Sequence, residues 1–397
     1  MWNLTLEGKE TFEKSNLLLI HESDDEWEAV LREAKEEGVD IHRELRDELE
    51  EVKTELYQIV PKRFHPYIEN GTLNQPNLQL SVREDYLSWI EEREKAFSQI
   101  LTLASEQTEK AAEYLAGNVQ RVFKEGFHDA LIEKLERNRD CIMLKLECGG
   151  FSLMDRVYLQ FHGVAEEISN ESLTAGETIV YDELQYINNM FHLRVLTDEL
   201  EWTIVFKDVT ADCYFLPGLY TQLALEEKLE NMTLIEYIQQ LNPEQTYWFI
   251  TPDIEERMTF TNGQIVLEHG ELEISGEAIR VIGKEQVYVY TFDEYNPAQF
   301  IYTDIYENPE ESLEELLPEN EIIPAIFGEN ISLQVQAWNS MYNEPEAYKE
   351  KINQVLAKVQ QTEENEMFLS IYLERFNEYN VLNSSNSAKF KYLLEDA

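Results

Sequence analysis

Apolar residues recur every three to four positions through residues 1–126, which is the period of helices that bury one face. The four residues from Ser23 to Glu26 have the form of a capping box and predict the start of a helix that Gly38 ends. A second helix is predicted from Asp40 to Val60. We therefore expect two or three long helices, packed as a hairpin or a bundle.

A second capping-box pattern, from Ser81 to Glu84, predicts the start of a long helix that ends near Gly117. Aromatic and aliphatic residues recur on one face of it. This spacing is more typical of the core face of a helix than of a groove for a partner.

The period changes to two near residue 127, where apolar and polar residues begin to alternate as in half-buried strands. Strands are predicted at 141–147, 156–164, 178–187, 190–196 and 202–209. Because their connections are short, they favour an antiparallel meander over βαβ units.

The last part of the chain mixes both patterns. Helices are predicted within 217–242, seven short strands between 247 and 305, a further strand at 331–338, and helices at 345–359 and 363–379. Asn262-Gly263 is a strong signal for a two-residue hairpin turn. The polar stretch 383–387 is expected to be loose.

These patterns predict an α+β fold in three domains. A helical region covers 1–126, an antiparallel β domain covers 127–216, and an α+β domain covers 217–397, in which flanking helices accompany a β-sheet.

The charge balance narrows the function. The chain has 32 Lys and Arg against 79 Asp and Glu, a net charge of −47. The three predicted regions carry −13, −10 and −24, so none offers the basic surface that nucleic acids or anionic membranes require. We expect no direct binding to either, and a basic protein is the expected kind of partner.

Compartment signals point to the cytoplasm. The chain has three cysteines, a small and odd number, which argues against a disulfide framework. No secretory signal or membrane-spanning run is present. The oligomeric state is left open.

The sharpest candidate for chemistry is the Phe-His-Asp-Ala sequence at 127–130, here called the 127–130 motif. His128 is a candidate base and Asp129 a candidate orienting carboxylate. The structural alternative is favoured: Phe127 enters the core while His128 and Asp129 bond the backbone at a strand end.

No metal or cofactor is expected. Histidines and cysteines gather in one region, but without the short-spaced pairs that zinc sites use; they are His128, Cys141, Cys148, His162, His192 and Cys213. Glycine-rich phosphate loops and nucleophile motifs are also missing from the sequence.

An acidic cluster marks the predicted partner-binding segment. Its residues are Glu310, Glu311, Glu314 and Glu315, at helical spacing. The alternative, an ordinary solvated face, is the more common meaning of such a cluster.

The 127–130 motif, with Leu144-Lys145-Leu146 and the strand from Trp202 to Val209, resembles an uncharacterised family of acidic proteins from Gram-positive spore-forming bacteria. That family is classed as a domain of unknown function. The resemblance covers roughly residues 25–215. It implies a bacterial cytoplasmic protein and brings no activity.

Two functions follow as hypotheses. The leading one is a non-catalytic interaction protein whose acidic surface holds a basic partner. The alternative is a hydrolase that uses the region of His128 and Asp129. A concave pocket around His128 favours the second, and a convex acidic surface favours the first.

Overall fold

A computed structural model of the chain describes residues 2–149, 154–229, 232–251, 253–261, 264–275, 277–283, 286–292, 296–307, 315–328, 330–362 and 365–395. The chain divides into two compact units, Met1–Cys213 and Tyr214–Ala397. Each is considered by itself. The predicted division into three domains stays a prediction.

The first unit begins with six helices: α1 (Leu6–Ser15), α2 (Asp24–Glu37), α3 (Ile41–Ile59), α4 (His65–Glu69), α5 (Leu80–Ala112) and α6 (Gly117–Glu125). The capping box at the start of α2 is confirmed, since the Ser23 hydroxyl accepts from the Glu26 amide and the Glu26 carboxylate accepts from the Ser23 amide. Gly38 ends this helix with a left-handed φ of 74°, as predicted.

The capping box predicted at Ser81 is wrong. Helix α5 begins at Leu80, so Ser81 already lies in its first turn, and the N-cap residue Gln79 makes no side-chain capping bond. The helix is nevertheless long, with 33 residues, and it buries Tyr86 and Trp89 in the core that the helices share. Gly117 begins α6 instead of ending α5.

Eight strands follow: β1 (Leu131–Asn138), β2 (Cys141–Glu147), β3 (Arg156–His162), β4 (Glu166–Ser169), β5 (Tyr181–Ile187), β6 (Met190–Leu196), β7 (Glu201–Phe206) and β8 (Asp208–Tyr214). They form two four-stranded sheets, ordered β1-β2-β3-β8 and β4-β7-β6-β5, and the described pairings within them are antiparallel. Asn188 and Asn189 join β5 to β6 with φ values of 54° and 63°, as a type I′ hairpin turn requires.

Seven strands lie within the described residues of the second unit: β9 (Tyr247–Ile250), β10 (Glu255–Thr261), β11 (Gln264–Leu267), β12 (Glu271–Ile274), β13 (Ala278–Ile282), β14 (Val287–Thr291) and β15 (Ile301–Thr303). They make the sheets β11-β10-β9-β15 and β12-β13-β14. The predicted turn at Asn262-Gly263 lies outside the described residues, but Thr261 pairs with Gln264 across it.

The helices of the second unit are α7 (Gly218–Leu225), α8 (Leu234–Gln240), α9 (Ile322–Ile326), α10 (Ile331–Asn343), α11 (Lys349–Lys358), α12 (Glu366–Glu378), α13 (Ser384–Lys389) and α14 (Lys391–Glu395). Five of these helices, α9 to α12 and α14, contribute to one apolar core, which includes Trp338, Leu373 and Phe376. The α+β class is thus confirmed, with N-terminal helices, antiparallel sheets and C-terminal helices.

Two local predictions in this unit are wrong. The strand predicted at 331–338 is helix α10. Its buried face is formed at helical spacing by Ala337, Trp338 and Met341, whereas Ile331 and Leu333 from the alternating pattern are exposed. The stretch 383–387, predicted to be loose, enters helix α13, whose first amides are capped by Asn383.

None of the described helices combines the length and the apolar character needed to cross a bilayer.

Candidate functional site

Phe127 anchors the 127–130 motif in the core of the first unit. Its side chain is buried, and its ring packs edge-on against Phe123 of α6 at 5.4 Å between centroids. The preceding Gly126 has a φ of 76°, where a Cβ would also lie 3.4 Å from the Asp182 carboxylate. A glycine here allows the backbone to turn tightly, so that the Phe127 amide donates to Asp182 Oδ1 at 2.9 Å.

His128 is fixed through one ring nitrogen. Its Nδ1 lies 2.6 Å from the carbonyl oxygen of Val180, which only accepts, so Nδ1 carries the proton. The ring also stacks on Tyr181 at 5.8 Å. Because Nδ1 is engaged in this way, Nε2 is the ring nitrogen that would accept a proton if His128 acted as a general base.

Asp129 does not hold the imidazole. Its Oδ2 lies 3.7 Å from His128 Nε2, beyond hydrogen-bond distance, and both side chains are more than half exposed. Asp129 adopts a left-handed φ of 61°, and its amide donates to the carbonyl of Ile179 at 2.8 Å. These are the backbone contacts that the structural interpretation of the motif predicts.

A cleft of about 180 Å³ opens beside the motif, between α5, α6 and strand β5. It holds His128 together with other polar side chains, and its ionisable lining is Glu109, Lys124, Glu125, His128, Tyr181 and Asp182. The concave site that the enzyme hypothesis requires is therefore present, although its volume suits only a small ligand group.

Asp182 is the residue in this cleft that the sequence analysis missed. Burial raises the pKa of its carboxyl to about 6, and the Phe127 amide and the charge of His128 oppose that rise. The signal that would have found it is the alternation of β5, where Asp182 shares the face of the buried Leu184. Its carboxyl, with the raised pKa, is a candidate acid in the same cleft as His128, the candidate base.

A second polar cluster, also missed, lies on the opposite face of β5. Glu183 is completely buried and accepts from the amides of Asn3 and Leu4 at 3.0 and 2.9 Å, and from two side-chain amides. Its cross-strand neighbour Arg194 pairs with Glu201 at 2.9 Å and donates to the carbonyl of Leu4. The cluster fixes the N-terminal segment, so its role is structural.

The other candidate residues from the sequence analysis offer less support for a functional site. Glu310, Glu311 and Glu314 lie outside the described residues, and Glu315 is exposed. Burial raises the pKa of the Cys148 thiol to about 12, which leaves it unreactive near neutral pH. No set of three or more His, Cys, Asp or Glu side chains is arranged to hold a metal ion within the described part of the chain.

The comparisons with known proteins supply a family and no activity. Residues 6–206 match a family model described as a protein of unknown function, DUF4085. This match covers half of the chain and overlaps region 25–215 of the sequence resemblance, which is confirmed as a domain of unknown function. No curated protein matches the chain.

Proposed function

The chain belongs to the DUF4085 family, and we propose that it is a non-catalytic interaction protein whose acidic surface binds a basic protein partner. Both compact units are acidic. Met1–Cys213 has 45 acidic and 22 basic residues, and Tyr214–Ala397 has 34 and 10. A surface of one sign steers and holds a partner of the opposite sign.

The observation that supports this proposal is that, in the described part of the chain, folding buries more cationic than anionic side chains. Three cations, Lys9, Arg83 and Arg156, are at most 6% exposed, and each pairs with a more exposed carboxylate. Among the described residues, Glu183 is the one acid that is as little exposed as these three cations. Folding thus places these three cations out of reach of a partner, so the charged groups that a partner meets are mainly carboxylates.

The cytoplasmic location and the bacterial source stay predictions. The partner-binding role of the segment with Glu310, Glu311, Glu314 and Glu315 also stays a prediction.

Affinity capture tests the proposal. The full chain, immobilised, should retain a basic protein at about 50 mM NaCl and release it at about 500 mM, because salt screens charge attraction. Immobilised poly-glutamate of equal charge is the control, since it separates a specific acidic surface from charge alone. If no basic protein is retained at low salt, or if poly-glutamate retains the same set, the proposal fails.

The His128 cleft favours a second candidate, a hydrolase in which His128 is the base and Asp182 the acid. Elemental analysis and a panel of ester, phosphoester and glycoside substrates would detect it. We would expect turnover that His128→Gln and Asp182→Asn abolish and that Asp129→Asn leaves intact. The absence of turnover, or turnover unchanged in His128→Gln, would count against it.

A further inference from the structure

Helix α12 is apolar on two faces. Leu369, Leu373 and Phe376 are buried in the core of the C-terminal helices. On the other side, Met367 and Ile371 form a stripe that is 79% and 53% exposed, with Phe368 beside it at 39%. A helix at the surface of a globular unit normally has one apolar stripe, so the second has the character of a contact surface.

The exposed stripe rests on a rigid base. The Phe368 ring packs edge-on against Trp338 of α10 at 5.3 Å between centroids and tilts against Tyr372 at 4.7 Å. The Tyr372 hydroxyl in turn donates to Asn339. Since these side chains are held in place, little conformational entropy is lost when a partner covers them. Met367, by contrast, is adaptable, as in surfaces that accept varied apolar side chains.

The same stripe becomes acidic towards the end of the helix. Glu374 and Glu378 follow Ile371 one and two turns further along, and both are exposed. The neighbouring cation, Arg375, is turned aside over the rings of Tyr379 and Tyr342, at 4.4 and 5.2 Å, and lies 3.5 Å from Glu378. The exposed face of α12 therefore presents an apolar end and an anionic end.

We propose that this face, formed by Met367, Phe368, Ile371, Glu374 and Glu378, docks a cationic amphipathic helix of a partner protein. Apolar side chains of the partner cover the first three residues, and its Lys or Arg side chains one or two turns away meet the two glutamates. The inference rests on the proposed function and names where the basic partner binds. Charge argues against a second copy of this chain as the occupant, since each copy adds a unit of net charge −24.

The test uses the full chain and a labelled peptide of roughly 18 residues, made of Leu and Lys with Leu at helical spacing. A scrambled peptide of the same composition keeps the charge and loses the apolar face. The variant Met367→Gln/Ile371→Gln removes the apolar stripe and keeps good helix formers. Ile235→Gln is the matched control for Ile371→Gln, because Ile235 on α8 is also helical and is 52% exposed.

We expect the amphipathic peptide to bind more tightly than the scrambled one, and the double variant to weaken that binding about 10-fold or more. Ile235→Gln should leave binding unchanged, and Glu374→Gln/Glu378→Gln should weaken it at low salt and reduce its salt dependence. Circular dichroism would show that each variant keeps its helices.

Different failures have different meanings. Equal binding of the amphipathic peptide to wild type and to the double variant would overturn the docking site but leave the acidic-surface proposal standing. If neither peptide binds at low salt, the proposed function itself fails. A concentration-dependent dimer that the double variant abolishes and the peptide does not disturb would overturn the choice of occupant.

Discussion

Two neighbouring carboxylates show how position within a strand sets the chemistry of a residue. Asp182 and Glu183 are adjacent on β5 and point to opposite faces of the sheet. Asp182 accepts one amide from Phe127 at the cleft, whereas Glu183 accepts four N–H groups and lies beside Arg194. The same functional group thus lines a cleft in one place and fixes a chain segment in the other.

Asp182 predicts a measurable effect of pH on stability. The folded state keeps its proton up to a pKa of about 6, whereas the unfolded chain loses it near 4. Between these values the folded state binds more protons, so this group's contribution to the free energy of unfolding falls as pH rises. The variant Asp182→Asn keeps an oxygen that accepts from the Phe127 amide, but its side chain does not ionise.

The free energy of unfolding of Asp182→Asn, taken relative to that of wild type, should increase by about 2–3 kcal/mol from pH 4 to pH 7. Urea unfolding at several pH values measures this difference, and Asp129→Asn, at an exposed position, is the control. A difference that stays constant with pH would contradict the burial of Asp182.

The hydrogen bonds of Glu183 predict a second effect on stability. Glu183→Ala leaves the amides of Asn3 and Leu4 without acceptors and removes a charge beside Arg194, which should cost about 3 kcal/mol or more. Urea unfolding checks this against Glu199→Ala, an exposed acid in the turn before β7, expected within about 0.5 kcal/mol of wild type. Equal stability of the two variants would show that the N-terminal segment is not held as described.

At the scale of elements, helix starts show when local sequence decides and when it does not. The patterns from Ser23 and from Ser81 look alike, yet only the first forms a capping box. The segment before α2 is polar, so the capping residue determines where that helix begins. The start of α5 follows the buried Leu78, so packing places it before Ser81 is reached.

Alanine variants of Ser23 and Ser81 allow the two helix starts to be compared within one protein. Ser23→Ala should destabilise the chain by about 1 kcal/mol through loss of the cap, whereas Ser81→Ala should be nearly neutral or slightly stabilising because alanine is the better helix former. Thermal unfolding followed by circular dichroism distinguishes them. Similar losses in both variants would mean that Ser81 does cap α5.

At the scale of the whole molecule, the net charge dominates. Folding brings 79 acidic and 32 basic residues into two compact units, where like charges repel more strongly than in the unfolded chain. The ion pairs that the buried Arg83 and Arg156 make with carboxylates offset a small part of this repulsion. The acidic surface that makes the chain a candidate binder therefore also lowers its stability.

Salt should for this reason stabilise the chain. We expect the Tm to rise between about 10 mM and about 300 mM NaCl, as the Debye length shrinks from roughly 30 Å to below 8 Å. Calorimetry measures it, and a parallel series in sucrose separates screening from general solute exclusion. A Tm that is constant or falls with NaCl would argue that bound cations or internal pairs already neutralise the surface.

Sequence alone determined the features that depend on local period and composition. These are the helices before residue 126, the antiparallel strands after it, the cap at Ser23 and the charge. It also found the 127–130 motif, since a change of period marks that junction. Asp182, Glu183 and the exposed stripe of α12 needed the tertiary structure. Residues distant in sequence decide whether a carboxylate is buried and whether residues 331–338 form a helix or a strand. They also decide which apolar face of a helix stays exposed. No local pattern specifies these neighbours.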